Sequence, residues 1–502
     1  MIMNNQATVI LIPIDNRPIT YGFPQMIARV AGIDAVVPPR NLLGSLFAPS
    51  SVGALSEWLE DTLKTVKAKA LFVCLDSIIY GGLIPSHRSL DSLAEVMERA
   101  RKIATWKKLA GEDLKIYAQA TITRIPHYND SIEEPEYWKI YGAKIFNWSV
   151  LKHKQAVGLL QDTSQLTAQE REIPKEVLAD FAQRRERNFQ VNQSLIDAVK
   201  REEIDYLVFS QDDSGEFGLN VLEKSQLEAQ VKQDRLTNID SYAGADEVIM
   251  SLMARWLSHN ANRRPKVSVV FSPEEGKNAL SNFEGQTIAT TITAQMRAAN
   301  LEILQQSSVV SPDFSIIAHT AGTGQGDHVL LPGVLQFQPS NTAEAVENTI
   351  NLLQTLPAPV VVCDVAYTNG SDPLLVETLL SRQDLLDKLS AYAAWNTTGN
   401  TVGSALALGV ANWYARLNGF STEDYSKQSL FLRLADDWAY QAQVRSQLAG
   451  EASEDRVRQL LPPLLKRLAN AIGFDPGALR LTLPWKRTFE VEIDIEHTPI
   501  LL

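Results

Sequence analysis

Residues 205–216 read Asp205-Tyr206-Leu207-Val208-Phe209-Ser210-Gln211-Asp212-Asp213-Ser214-Gly215-Glu216. A run of apolar and aromatic residues stops abruptly at a cluster of amide, carboxylate, serine and glycine. Strands of a parallel sheet covered by helices on both faces show no alternation, so such a run reads as a buried strand and its C-terminal end. The unit recurs, each time followed by helical periodicity: Thr8–Ile14, Ala70–Leu75, Lys115–Thr121, Lys266–Phe271, Phe314–Ala318, Pro359–Asp364 and Leu389–Ala394. With Asp205–Ser210 these make eight βα units, which predict an α/β fold of the (β/α)8 TIM-barrel type. A short run at Asp34–Val37 makes a ninth and keeps a doubly wound open sheet as the alternative.

Two stretches depart from this rhythm. Residues 126–193 carry Tyr128, Tyr137, Trp138, Tyr141, Phe146 and Trp148, then a charged helical run, Glu170–Arg187. That is too long for a βα connection and is expected to be an elaborated, helix-bearing loop near the top of the sheet. After about Leu417 the strand signal ends. Leu430–Arg445 and Glu454–Ile472 have amphipathic helical spacing, and Leu479–Asp494 alternates as a terminal strand or hairpin does. The expected organisation is a catalytic domain over 1–416 and a C-terminal helical segment with a β element over 417–502.

Composition excludes several classes. With 47 Lys+Arg against 59 Asp+Glu, the net charge of −12 is the opposite of the basic face that a nucleic-acid binder needs. The opening MIMNNQATVILIPI has no basic segment ahead of its apolar run, and Asp15 interrupts that run too soon for a membrane span. A cytoplasmic protein without membrane or nucleic-acid partners is expected. An apolar surface on the C-terminal segment would suit a homodimer. Cys74 and Cys363 sit within apolar runs, where a thiol packs as a small hydrophobe, so neither a disulfide framework nor structural zinc is expected.

In parallel α/β folds the residues just past the strand ends line the site, whatever the reaction. Asp212 and Asp213 are the sharpest such feature. Adjacent carboxylates diverge into a cleft, so one can hold a proton as general acid while the other stays ionised. The plainer reading makes one a helix cap and Gly215 a turn. Trp395, Asn396 and Asn400, in Trp395-Asn396-Thr397-Thr398-Gly399-Asn400, suit a sugar, the indole packing on its C–H face and the amides bonding hydroxyls. Against this, Trp395 would equally serve as core beside a turn into a helix. Asp15, Asn16 and Arg17 follow the first strand. Asp76 and Tyr80 follow the second with Gly81-Gly82, and Arg124 and Gln211 complete the candidate binding set. His319, Asp327-His328 and Asp364 are the best set for a metal. The chain has no G-x-S-x-G elbow and no P-loop spacing.

Asp15-Asn16-Arg17-Pro18, Pro38-Pro39 with Leu43-Gly44, Tyr80-Gly81-Gly82-Leu83, Gln211-Asp212-Asp213 and Trp395-Asn396-Thr397-Thr398-Gly399-Asn400-Thr401 together resemble a bacterial family catalogued as a domain of unknown function. The segment Ile84-Pro85-Ser86-His87-Arg88 departs from the shorter small-residue stretch expected there. The adjacent Asp pair is similar to that of retaining β-N-acetylhexosaminidases that use substrate-assisted catalysis. That resemblance implies that Asp212 orients the substrate's 2-acetamido group and Asp213 is the acid/base, with terminal β-linked N-acetylgalactosamine as the favoured substrate and no cofactor or metal. Two competing expectations stand beside it. One is a metal-dependent hydrolase of a phosphoryl or amide bond using His319, His328 and Asp364. The other is a carbohydrate-binding protein without catalysis.

Overall fold

The computed structural model describes residues 7–111, 113–305, 310–322, 324–329, 342–357 and 359–495. Contacts divide the chain into two compact units: residues 1–16, 35–249 and 283–285 form the first, and 17–34, 250–282 and 286–502 the second.

The first unit is built on a six-stranded sheet of β1 (Thr8–Ile12), β2 (Asp34–Val36), β3 (Ala70–Cys74), β4 (Lys115–Ile122), β5 (Tyr206–Gln211) and β6 (Ile239–Ala243), in the order β2-β1-β3-β4-β5-β6. The pairs from β1–β3 through β5–β6 are parallel. Every residue of β3 and β5 is buried, as their near-continuous apolar sequences require.

The second unit holds β7 (Lys266–Ser272), β8 (Glu302–Ile303), β9 (Phe314–His319), β10 (Gly326–Asp327), β11 (Val360–Asp364), β12 (Tyr367–Thr368) and β13 (Leu389–Ala393). Five of these form a parallel sheet in the order β13-β11-β9-β7-β8, and β10 pairs with β12. Relabelled from its first strand, this sheet repeats the 2-1-3-4-5 sequence of the other unit. Both orders reverse between the first and third strands, as in doubly wound sheets.

All eight expected strands form, and the ninth run becomes β2. The pairings do not show one closed eight-stranded barrel; the strands fall into two parallel sheets, each with the order of the open-sheet alternative. Four strands have no counterpart among the expected runs: β6 and the two-residue β8, β10 and β12. In β6 the sequence Ile239-Asp240-Ser241-Tyr242-Ala243 alternates only weakly.

The long insertion is helical, with Trp138–Ala156, Ser164–Arg171 and Lys175–Lys200. It has its own small core of Trp138, Ile145, Trp148, Leu166, Ile173 and Phe181. The segment after Leu417 is not an isolated tail. Phe431, Trp438, Leu465, Leu468 and Val491 share one core with Val360, Val362 and Tyr392 of the second sheet. Its terminal hairpin pairs β14 (Leu479–Thr482) with β15 (Glu492–Ile495) in antiparallel register. No helix among the described residues is long and apolar enough to cross a membrane.

Candidate active site

The end of β5 is fixed from both sides. The Asp212 amide donates to the Ile122 carbonyl of β4 at 3.3 Å, and the Gln211 carbonyl accepts from the Gly244 amide past β6 at 3.0 Å. The sheet therefore delivers Asp212 and Asp213 to the C-terminal edge, where the chain leaves the ladder. Asp212 Oδ1 accepts from the Asp213 amide at 3.1 Å. Ser214 is anchored to the Phe283 carbonyl at 2.6 Å, and its hydroxyl donates to that of Glu284. A Cβ on Gly285 would lie 2.4 Å from the Gly215 carbonyl, so only glycine allows these two loops to meet.

Arg124, two residues beyond β4, sits between the acids. Its Nη1 lies 3.6 Å from Asp213 Oδ2 and its Nε 3.9 Å from Asp212 Oδ2. Nε also reaches Glu134 at 3.3 Å, and Nη2 pairs with Glu133. Glu134 in turn bonds His87 Nδ1 at 3.0 Å, and His87 Nε2 stands 3.9 Å from Asp212 Oδ2. Four segments distant in sequence thus converge: residues 87, 124, 133–134 and 212–213.

Helix Lys175–Lys200 of the insertion holds this constellation in place. Arg187 donates to the carbonyls of Ser89 at 2.8 Å and Asp91 at 2.9 Å, and Asn188 donates to that of Ser86 at 3.0 Å, gripping the short helix Leu83–Arg88 that carries His87. Arg185 donates to the Thr123 carbonyl beside Arg124 and forms a bidentate pair with Glu223.

The two acids differ in environment. The side chain of Asp212 is 13% exposed and that of Asp213 41%. Burial, reinforced by the charge of Asp213, pushes Asp212 up to about 6 against the opposing pull of Arg124 and His87. Burial also raises Asp213. Arg124 opposes that rise, while Glu133, Asp246 and Glu284 add to it. Burial alone would lower the His87 imidazole, but Glu134 on Nδ1, helped by Asp212, raises it above its ordinary value despite Arg124. Asp212 Oδ2 and His87 Nε2 are both buried and have no hydrogen-bond partner among the described residues.

The other predicted residues of the first unit have clear placements. Asp76 is buried at the end of β3, where its Oδ2 accepts from the Thr121 amide at 3.0 Å and its carbonyl accepts from the amides of Tyr80, Gly81 and Gly82. It braces β3 against β4, and burial raises its carboxyl to about 6. Tyr80 lies under the Arg187 guanidinium at 5.3 Å and walls a cavity of about 440 Å³ with Leu46, Phe47, Ile84 and Arg88. Neither Asp212 nor Asp213 lines that cavity. The acid pair, whose two carboxyls are both raised, marks the candidate site. Asp15 is buried, and the Asn16 carbonyl accepts from Arg40 Nε at 2.8 Å. Gln211 is buried, with Nε2 lacking a partner among the described residues.

Arg17, Trp395, Asn396 and Asn400 belong to the second unit. Arg17 pairs with Glu490 at 3.3 Å and lies over Trp485. Trp395 is 1% exposed and packs edge-on to Phe489 at 5.7 Å, so its indole offers no open face for a sugar and takes the core role. Asn396 adopts φ 60° and its carbonyl accepts from the Asn369 amide; Asn400 donates to Thr397 Oγ1 at 3.3 Å.

The suggested metal ligands are each occupied by residues outside the set. His319 is bonded through Nδ1 to Thr349 at 2.8 Å and through Nε2 to Asp372 at 3.2 Å. Asp364 accepts from Tyr392 at 2.7 Å and the Asp372 amide at 2.7 Å, and His328 Nε2 bonds the Ser371 carbonyl. Among the described residues no group of three or more His, Cys, Asp or Glu is arranged to hold a metal.

Sequence reasoning missed His87, Glu133 and Glu134. His87 falls in the very segment that departs from the expected motif, and Glu133-Glu134 lies nine residues past Arg124 at the mouth of the insertion. A family model described as a protein of unknown function (DUF4127) matches residues 9–494. No curated protein and no solved structure matches the chain.

Proposed function

The chain belongs to the DUF4127 family, whose description assigns no activity, and we propose from its own residues that it is a retaining, exo-acting glycoside hydrolase that releases terminal β-linked N-acetylhexosamine. The observation that carries this reading is the adjacent acid pair at the end of β5, with one carboxylate side chain 13% and the other 41% exposed.

In the proposed reaction the substrate's 2-acetamido oxygen attacks the anomeric carbon, and the bond to the leaving oxygen breaks as Asp213 delivers its proton there. Asp212 accepts the acetamido N–H and stabilises the positive charge that spreads over the cyclised intermediate. Water then attacks the same carbon, gives its proton to Asp213 and restores the acetamido group with net retention. A proton donor works best when its carboxyl is raised towards the working pH, and burial and neighbouring carboxylates push Asp213 in that direction. Arg124 is placed to steady both acids during the charge shift. Nothing in this chemistry requires a closed (β/α)8 barrel, because the end of one parallel strand delivers the pair. We favour N-acetylgalactosamine as the sugar, and the reaction uses no metal or cofactor.

The test is release of 4-nitrophenol from a panel of α- and β-linked aryl glycosides that includes the N-acetylgalactosaminide and the N-acetylglucosaminide, with and without chelator. Chelator-insensitive turnover confined to the β-N-acetylhexosaminides is expected. Hydrolysis of simple glucosides or galactosides at equal rates would overturn the acetamido-assisted scheme, and silence across the panel would overturn the hydrolase.

A further inference from the structure

The acid pair explains a proton donor and a polarising carboxylate, yet Asp212 must remain ionised in a site whose burial favours its neutral form. The counter-charge has to come from nearby. Arg124 is divided among Glu133, Glu134, Asp213 and Asp212, and its approach to Asp212 is 3.9 Å. The remaining cationic side chain facing Asp212 among the described residues is His87, whose side chain is only 3% exposed.

The geometry of His87 is directional. Glu134 is an acceptor and lies 3.0 Å from Nδ1, so Nδ1 carries a hydrogen and the ring is oriented by that bond. Nε2 then points at Asp212 Oδ2 across 3.9 Å, too far for a direct hydrogen bond. One oxygen placed about 2.8 Å from each atom spans that distance at an angle of about 90°. Such an oxygen accepts from an imidazolium N–H and donates its own hydrogen to the carboxylate.

Building on the hydrolase reading above, we propose that His87 is a positioning residue for Asp212. Its imidazolium, oriented by Glu134, and the Asp212 carboxylate share one hydroxyl or water, and this keeps Asp212 ionised to receive the substrate's N–H. The sheet and the insertion then supply one half each: Asp212 and Arg124 come from strand ends, and His87 from the helix that Arg187 and Asn188 grip. The groups facing His87 are Glu134, Arg124 and Asp212, with Glu133 beyond Arg124 and Asp213 beyond Asp212. The two carboxylates nearest the ring favour its charge, and Arg124 opposes it.

Two measurements test this. In His87→Gln, which keeps a donor but loses the charge, the acid limb of kcat/KM against pH is expected to move up by about one unit, about a tenfold loss at pH 5 with little change at pH 8. An unmoved limb overturns the proposal. The second needs no substrate. The His87 ring is titrated by NMR in the wild type and in Asp212→Asn, its resonance assigned from the spectrum of His87→Gln or, if that variant does not fold, from backbone correlations. Loss of the Asp212 charge is expected to lower the His87 midpoint by about one unit, and an unchanged midpoint overturns the proposal. Should Asp212→Asn not fold, Asp212→Ser serves the same purpose. Turnover with an unchanged midpoint rejects His87 alone. A lowered midpoint without hydrolysis of any glycoside supports the coupling and rejects the hydrolase.

Discussion

The two units present the same kind of chemistry in opposite states. The two sheets share the strand order 2-1-3-4-5, and each unit places a buried histidine among carboxylates at or beyond its strand ends. In the second unit the set is saturated. Both ring nitrogens of His319 are bonded, and Asp364 and Asp372 accept from amides and a tyrosine. In the first unit His87 is bonded on one side only, and Asp212 keeps an oxygen without a partner among the described residues. A buried polar group without a partner costs about 1–3 kcal/mol, more when charged. A bound water or a ligand can meet that cost, whereas a fully bonded network rigidifies the structure.

The sharpest way to break this comparison is Asp213→Asn. On the hydrolase reading, loss of the acid/base is expected to lower kcat about 10³-fold, some 4 kcal/mol of barrier, with an unchanged circular dichroism spectrum. A loss under tenfold would place the two clusters in one class.

His319→Ala is the counterpart in the saturated cluster. Removing a ring that satisfies Thr349 and Asp372 is expected to destabilise by about 3 kcal/mol, read by denaturant unfolding. Burial lowers His319, but Asp372 and Asp364 raise it to a net upward shift. The extra stability from its charge is therefore full below the unfolded histidine value and fades as pH rises through the folded one. The destabilisation should accordingly be larger at pH 5 than at pH 9. Equal losses at both pH values would mean that the ring acts through packing alone.

Asp212→Asn should run the other way for stability. The folded Asp212, raised to about 6, binds a proton more tightly than the unfolded one, so its contribution to stability declines as pH rises from about 4 to 6. The amide removes that decline, and a gain of about 1–3 kcal/mol at pH 8 with none at pH 4 is expected. A less stable variant at pH 8 would show that Asp212 is already well paired. The smallest effect is expected at Trp395→Phe: about 1–2 kcal/mol of stability from lost packing, with KM within twofold. A tenfold rise in KM would restore the sugar-stacking role read from the sequence.

The division of labour explains what the sequence disclosed. Tyr206–Phe209 declared itself because a strand buried on both faces is largely apolar, and Asp212-Asp213 stood out because charge follows within three residues. β6 escaped because its Asp240 and Ser241 are only half-buried and blunt the pattern. Gathering of the strands into two sheets was not legible, since which strands pair depends on packing between distant segments and not on the periodicity within any one. His87 and Glu134 were hidden for a related reason. They are 47 residues apart and 125 and 78 residues from Asp212, and no local spacing announces that a helix of the insertion brings them together. Trp395 misled in the opposite sense, because a tryptophan among amides looks the same in sequence whether its ring faces a ligand or Phe489.

The grip of Arg187 and Asn188 on the carbonyls of Ser86, Ser89 and Asp91 has one more consequence. The helix that carries His87 spans six residues, too few to hold its own shape in water. Its geometry is therefore borrowed from a segment made about a hundred residues later in synthesis. A nascent or clipped chain in which the sheet has formed but the insertion has not docked would display the acid pair without its histidine, so assembly of the complete site becomes a readout of maturation.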